Sequence, residues 1–172
     1  MPSIDDYKRF LNGNPESQRE YRTIEAWHPQ WSQTYRFVKN YVDRDFTLES
    51  TAPRNPNELV TFEGVTLNIT EPAEREDAEQ VLSISFGNVD GLVYDMIDQI
   101  SGSGYLSQVE IVYRKYYSGD TTQPASTPLY LFLSGVDFEG PTRVVMTAED
   151  VDLTQKRSGS IYTTTAFPGL AP

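Results

Sequence analysis

The feature that most constrains this fold is a succession of short β-forming runs punctuated by turns, with a single interior helical stripe among them. Val81-Leu82-Ser83-Ile84-Ser85-Phe86 alternates strictly, which puts Leu82, Ile84 and Phe86 on an inward face. In the strand around residues 109–114, Val109, Ile111 and Tyr113 point one way, and Glu110, Val112 and Arg114 the other. Leu129-Tyr130-Leu131-Phe132-Leu133 is apolar at every position, so it is expected to be central or covered on both faces. Residues 143–148 and 161–166 complete the long strands.

The earlier part of the chain carries shorter ones. Residues 21–27 and 34–38 flank His28-Pro29-Gln30-Trp31-Ser32, a turn-like connection that predicts a hairpin. Residues 60–62 and 65–69 flank Glu63-Gly64, a two-residue hairpin signal. Residues 51–57 hold Pro53, Asn55, Pro56 and Asn57, and residues 118–128 are rich in Thr, Ser and Pro; both read as loops, the second an exposed excursion.

Two helices are expected. Residues 3–12 place Ile4, Tyr7, Phe10 and Leu11 on one stripe, with Ser3 as cap and Gly13 as stop. Residues 91–101 place Leu92, Val93, Met96, Ile97 and Ile100 on another, between a capping Asp90 and Gly102. There is no alternation of strand and helix, which argues against a doubly wound fold. The expectation is a mainly β (β-rich α+β) protein: an antiparallel β-sandwich or small barrel with a short N-terminal helix and one interior helix. Length fits one domain over residues 1–172, ending in an extended tail at residues 167–172.

Composition narrows the chemistry. With 14 Lys and Arg against 25 Asp and Glu, the net charge of -11 opposes nonspecific binding to nucleic acid or to an anionic membrane. The absence of cysteine excludes disulfides, thiol catalysis and thiolate metal sites. The lone histidine, His28, excludes any site needing two. No signal-peptide core and no membrane-length apolar run is visible, so a soluble protein made in a cytoplasm is expected. For the same reason Asn68-Ile69-Thr70 reads as a chance glycosylation triplet.

No residue cluster announces an enzyme. His28 lacks a serine or carboxylate at a recognisable spacing and reads as a turn histidine packed among tryptophans. Asp150 and Asp152, with Glu149 beside them, show every-second-residue spacing but lack the glycine and closing glutamate of a calcium loop, and read as a solvated strand end. Asp95 and Asp98 fall on the polar side of the interior helix. Glu71 to Glu79, with five acids in nine residues, is a solvated or polyanion-repelling surface. Gly102-Ser103-Gly104 has the spacing of neither a phosphate loop nor a nucleophile elbow. Tyr113, Tyr116 and Tyr117 cluster at one strand end and allow a sugar-stacking platform, but the core or subunit-interface reading leads. No metal and no cofactor is implied.

Two stretches carry a resemblance. Thr23-Ile24-Glu25-Ala26-Trp27-His28-Pro29-Gln30-Trp31-Ser32, followed by Tyr35-Arg36-Phe37-Val38-Lys39-Asn40, is one. Tyr162-Thr163-Thr164-Thr165-Ala166-Phe167-Pro168-Gly169-Leu170 is the other. Together with chain length they resemble a family of small tail proteins from the tail operons of long-tailed bacteriophages. The resemblance implies a non-enzymatic virion component of the tail tip or baseplate, assembled in the host bacterial cytoplasm. It would form a ring, hexameric first and trimeric second, that joins the tail tube protein to the tail hub and lets DNA pass without binding it specifically. Trp27, His28, Trp31, Tyr162, Phe167, Pro168, Gly169 and Leu170, which carry the resemblance, are the candidate assembly contacts. A carbohydrate-binding adhesin module at the tail end is the alternative, and a cell-wall hydrolase a remote third.

Overall fold

A computed structural model of the chain describes residues 19–71, 81–87, 91–101, 109–140 and 143–150. The expected N-terminal helix, the strand at residues 161–166 and the tail at residues 167–172 lie outside them. Nine strands form one sheet: β1 (Glu20–Trp27), β2 (Tyr35–Lys39), β3 (Arg44–Thr47), β4 (Leu59–Val65), β5 (Leu67–Thr70), β6 (Val81–Gly87), β7 (Glu110–Tyr117), β8 (Leu129–Phe138) and β9 (Arg143–Glu149). Among the described residues one helix, α1 (Leu92–Ser101), sits between β6 and β7 in the sequence. No helix among the described residues is long and apolar enough to cross a membrane.

The mainly β reading holds, with two refinements of architecture. The strand order is β3-β4-β2-β1-β7-β8-β9-β6-β5, a single sheet that does not close into a barrel and is not two stacked sheets. It is also mixed, because β2 pairs with β4 in parallel while the remaining pairs are antiparallel. Open as the ladder is, Thr66 alone separates β4, near one end, from β5 at the other. The sheet must therefore curl until its ends approach. The Lys39 ammonium of β2 accordingly lies 3.5 Å from the Asn68 side-chain oxygen of β5.

Curling gives the sheet an inner and an outer face. Alternation delivers Ile24, Phe37, Ile84, Phe86, Ile111, Leu131 and Met146 to the inner face, where α1 covers them with Val93, Met96, Ile97 and Ile100. Leu82, Ile84 and Phe86 of β6 and Val93, Met96, Ile97 and Ile100 of α1 are buried as expected. Trp31, in the β1–β2 connection, locks the helix in place by donating its indole N–H to the Met96 carbonyl at 2.9 Å.

The Glu63-Gly64 hairpin does not exist. β4 runs straight through both residues, and β5 continues in the same direction one residue later. Gly64 answers a different demand. β2 and β3 flank β4 on opposite sides, so the connection Asn40–Asp43 has to cross over β4. It crosses at Gly64, where a Cβ would lie 2.5 Å from the Val42 carbonyl carbon. The Gly64 N–H donates to the Asp43 carboxylate at 2.9 Å and pins the crossing. β3 itself, Arg44-Asp45-Phe46-Thr47, is too short and too charged to announce itself in the sequence.

Candidate assembly surfaces

The Trp27–Trp31 corner is mostly interior. His28 is 1% exposed and Trp31 5%. The Gln30 N–H donates to His28 Nδ1 at 3.1 Å, and the imidazole packs beside the Trp31 ring. Trp31 in turn meets Tyr35 edge to face. Two of the expected assembly contacts thus serve the protein's own core, and the side chains they would offer a neighbour are covered. Trp27 is half-buried, with the Arg54 guanidinium 3.7 Å above its ring. Tyr162, Phe167, Pro168, Gly169 and Leu170 lie outside the described residues. Tyr113 and Tyr116 are buried, at 3% and 0%, so neither presents a face for stacking.

The outer face holds an ionic lattice that the sequence did not announce. Arg114, wholly buried in β7, makes a two-pronged contact with Glu49: Nε donates to Oε2 at 2.7 Å and Nη2 to Oε1 at 2.9 Å. Its Nη1 lies 3.6 Å from Glu25, which also receives the Arg36 Nε at 3.0 Å. Arg36 reaches on to the Asn55 side-chain oxygen, and the Tyr130 hydroxyl donates to Glu49. Burial alone would raise the Glu49 carboxyl, but the hydrogen bonds and charge of Arg114 outweigh it and hold the group below the ordinary carboxylate range. The same lattice keeps Arg114 firmly protonated against the opposing effect of burial.

These charges strap the loop at residues 48–58 onto the sheet. Asn55 and Asn57 adopt positive φ of 52° and 59°, a conformation asparagine tolerates well. Beneath the loop Tyr21, Val38, Phe46, Leu48, Ala52, Phe62 and Tyr116 form a second apolar cluster. Phe46 stacks on Tyr116 at 4.4 Å. Between this loop and residues 122–128 runs a groove of about 760 Å³ walled by Thr, Ser and Pro side chains, with Glu49 at its side. Both Glu49 oxygens are engaged, so the groove presents no free carboxylate there. Among the described residues no three His, Asp or Glu side chains are grouped to hold a metal ion.

Two pairs of exposed apolar side chains stand at opposite strand ends of the sheet, apart from the exposed Leu59 and Tyr130. β1 is antiparallel to both β2 and β7, and β8 is antiparallel to β7, so the C-termini of β2 and β8 lie at opposite ends. Beyond β2, the crossover displays Tyr41, 93% exposed, and Val42, 61% exposed. At the end of β8, Phe138 stacks on Tyr94 of α1 at 4.8 Å, and both rings remain partly open to solvent. The Tyr94 hydroxyl donates to the Gly140 carbonyl at 3.0 Å, fixing the pair. No single run of sequence signals either patch: Tyr41-Val42 reads as a plain loop, and Tyr94 and Phe138 are 44 residues apart.

Residues 7–163 match the family described as Domain of unknown function (DUF1833). The chain belongs to that family. The match takes in all nine strands and α1, so the curled sheet and both of its faces are features of a DUF1833 domain. A comparison with curated proteins finds no match.

Proposed function

We propose that this DUF1833 protein is a structural component of a bacteriophage tail tip or baseplate, assembling as a ring between the tail tube and the hub. The observation that carries the reading is the pairing of a rigidly braced domain with apolar side chains displayed at two opposite ends. A subunit that meets a neighbour on each side needs two such surfaces, and a head-to-tail contact closes into a ring when its rotation closes. The resemblance of the 23–40 and 162–170 stretches to tail proteins of long-tailed phages supplies the context. The net charge of -11 suits a wall past which DNA slides, because it repels phosphates.

Six subunits are the first expectation and three the second. Light scattering on the purified protein, followed by negative-stain imaging, tests it. A closed ring with an opening of about 20 Å or more, the width of a duplex, supports the reading. A homogeneous monomer that also fails to enter tails during infection overturns it. Tyr162 and Phe167 to Leu170 remain candidate contacts. Deleting residues 167–172 is expected to leave a folded, soluble protein that no longer enters tails, and normal incorporation would remove that contact from the proposal.

A further inference from the structure

We propose that the open edge of β5 is the seat of residues 161–166 of the same chain, a run whose sequence predicts a strand, paired antiparallel to Leu67–Thr70. The inference concerns a single subunit and stands apart from the ring reading. It begins where the curled sheet meets itself. The contacts that span the two approaching ends are made by side chains. Lys39 reaches Asn68, and Glu71, just past β5, takes Arg22 at 3.5 Å, the Tyr113 hydroxyl at 3.0 Å and Lys115. Among the described residues β5 has one strand neighbour, β6. A hollow of about 300 Å³ opens at this gap, lined by Thr66 and Leu67 and by Arg19, Lys39 and Tyr41.

The ladder fixes which groups face the gap. The Gly87 N–H donates to the Thr66 carbonyl at 2.9 Å and Leu67 opposes Phe86, so Thr66, Asn68 and Thr70 turn their backbone groups to β6. Leu67 and Ile69 turn their N–H and C=O groups away from it, while their side chains stay buried in the core. The two edges of the sheet are guarded differently. β3 carries Arg44 and Asp45, and its Thr47 N–H is taken by the Thr121 carbonyl at 2.9 Å. β5 reads Leu-Asn-Ile-Thr, with neither charge nor proline, which leaves its edge a template for another strand.

Residues 161–166, Ile-Tyr-Thr-Thr-Thr-Ala, have the β-branched and aromatic content of a strand and are likewise uncharged. Direction and reach both suit them to this edge. β9 and β5 are each antiparallel to β6, and both finish beside its start, with Glu149 opposite Val81 and Thr70 opposite Ser83. A chain that leaves β9 there and turns back runs antiparallel to β5. The seat lies three strand spacings from β9, about 14 Å. Residues 151–160 span up to about 33 Å when extended, so the connection is long enough.

Amide hydrogen exchange of the full chain, resolved residue by residue, tests the pairing. The Leu67 and Ile69 amides are expected to exchange at least about tenfold more slowly than free amides, as Asn68 and Thr70 do through β6. Thr163→Pro/Thr164→Pro removes donors from both edges of the 161–166 run. It is expected to abolish protection at Leu67 and Ile69 while Asn68 and Thr70 keep theirs, which also shows that the variant is folded. Free exchange at Leu67 and Ile69 in the folded native chain overturns the proposal. So does protection that survives the prolines, because another segment then holds the edge. If the proline variant unfolds, crosslinking decides. The chain has no cysteine, so Asn68→Cys is combined in turn with Tyr162→Cys, Thr163→Cys, Thr164→Cys and Thr165→Cys and gently oxidised. A disulfide within one chain, favoured at alternate positions, is expected. No disulfide, or one that forms only between chains, overturns the proposal.

Discussion

The two faces of the sheet are held by different forces. The inner face is a continuous apolar core in which Ile24, Phe37, Ile84, Phe86, Ile111 and Met146 pack under α1. The outer face buries a smaller aromatic cluster and, beside it, Arg114 and Glu25 with almost no access to water. Apolar packing is nondirectional and tolerates repacking. A buried guanidinium shared by two carboxylates is directional, and it fixes where the 48–58 loop lies. Such lattices contribute modest net stability because desolvation offsets attraction, yet breaking one partner is severe. The inner face thus supplies the bulk of the stability, and the outer face decides one geometry of a loop.

Removing the hub of the lattice should expose that asymmetry most strongly. Arg114→Leu leaves Glu25 and Glu49 facing an apolar side chain, and urea unfolding is expected to show a loss of about 3–5 kcal/mol. The loss should shrink by more than half in a Glu25→Gln/Glu49→Gln background, since the damage is uncompensated charge. Ile84→Val on the inner face is expected to cost about 1 kcal/mol, unchanged by that background. Equal, additive losses in both series would mean that the outer face is ordinary packing.

Next in size is the crossover. Gly64→Ala puts a methyl group 2.5 Å from the Val42 backbone, where no flexible side chain is available to give way. A loss of about 1–3 kcal/mol is expected. Gly135→Ala in β8 is the control: its Cβ meets nothing within 4 Å, and a gain of about 0.4–1 kcal/mol is expected from the restricted unfolded chain. If the two alanines behave alike, Gly64 is not what permits the crossing.

These residues also show where sequence reasoning reached its limit. β6, β7 and α1 were legible because their apolar periods are clean and their neighbours in space are set by the period alone. Gly64 misled because a glycine after an acid between two apolar runs has the local chemistry of a hairpin turn, whereas its cause is the Val42 backbone, held in place through the neighbouring Asp43 side chain. β8 reads as apolar on both sides, and it is an interior strand, yet Tyr130 is 42% exposed and leans out to Glu49. The Arg114–Glu49 pair spans 65 residues, so no spacing could announce it. Loops were legible as loops; what straps them down was not. The same holds for the two displayed patches, each assembled by topology.

Acid should separate the faces more gently. Glu49 on the outer face and Glu71 at the rim of the inner face both titrate below their ordinary value of 4.5. For Glu71, burial raises the carboxyl, but hydrogen bonds from Lys115 and Tyr113 prevail. A depressed folded-state pKa means that the unfolded chain binds these protons more readily. The contribution is therefore complete above about pH 4.5 and is lost as pH falls through the lower folded-state value. Stability measured between pH 6 and pH 3 should fall, and Glu49→Gln should flatten that fall more than Glu71→Gln. The Glu49 side chain is 12% exposed against 30% for Glu71, so solvent screens its partners less. The reverse order would place the acid-sensitive contact on the inner rim.

The smallest expected effect tests how far the lattice extends. Arg54 lies over Trp27 and donates to Glu110 at 2.6 Å, joining the strapped loop to the edge of the Trp27–Trp31 corner. Arg54→Ala is expected to cost about 1 kcal/mol, the usual scale of a cation over an indole at a partly exposed site. Arg54→Ala is also expected to change the tryptophan fluorescence emission, and because Trp31 is buried and tied to Met96 that change should come from Trp27 alone. A Trp27→Phe background identifies that source by abolishing the change. A loss near that of Arg114→Leu would instead make Arg54 a full member of the lattice, with the loop fastened at both ends by charge.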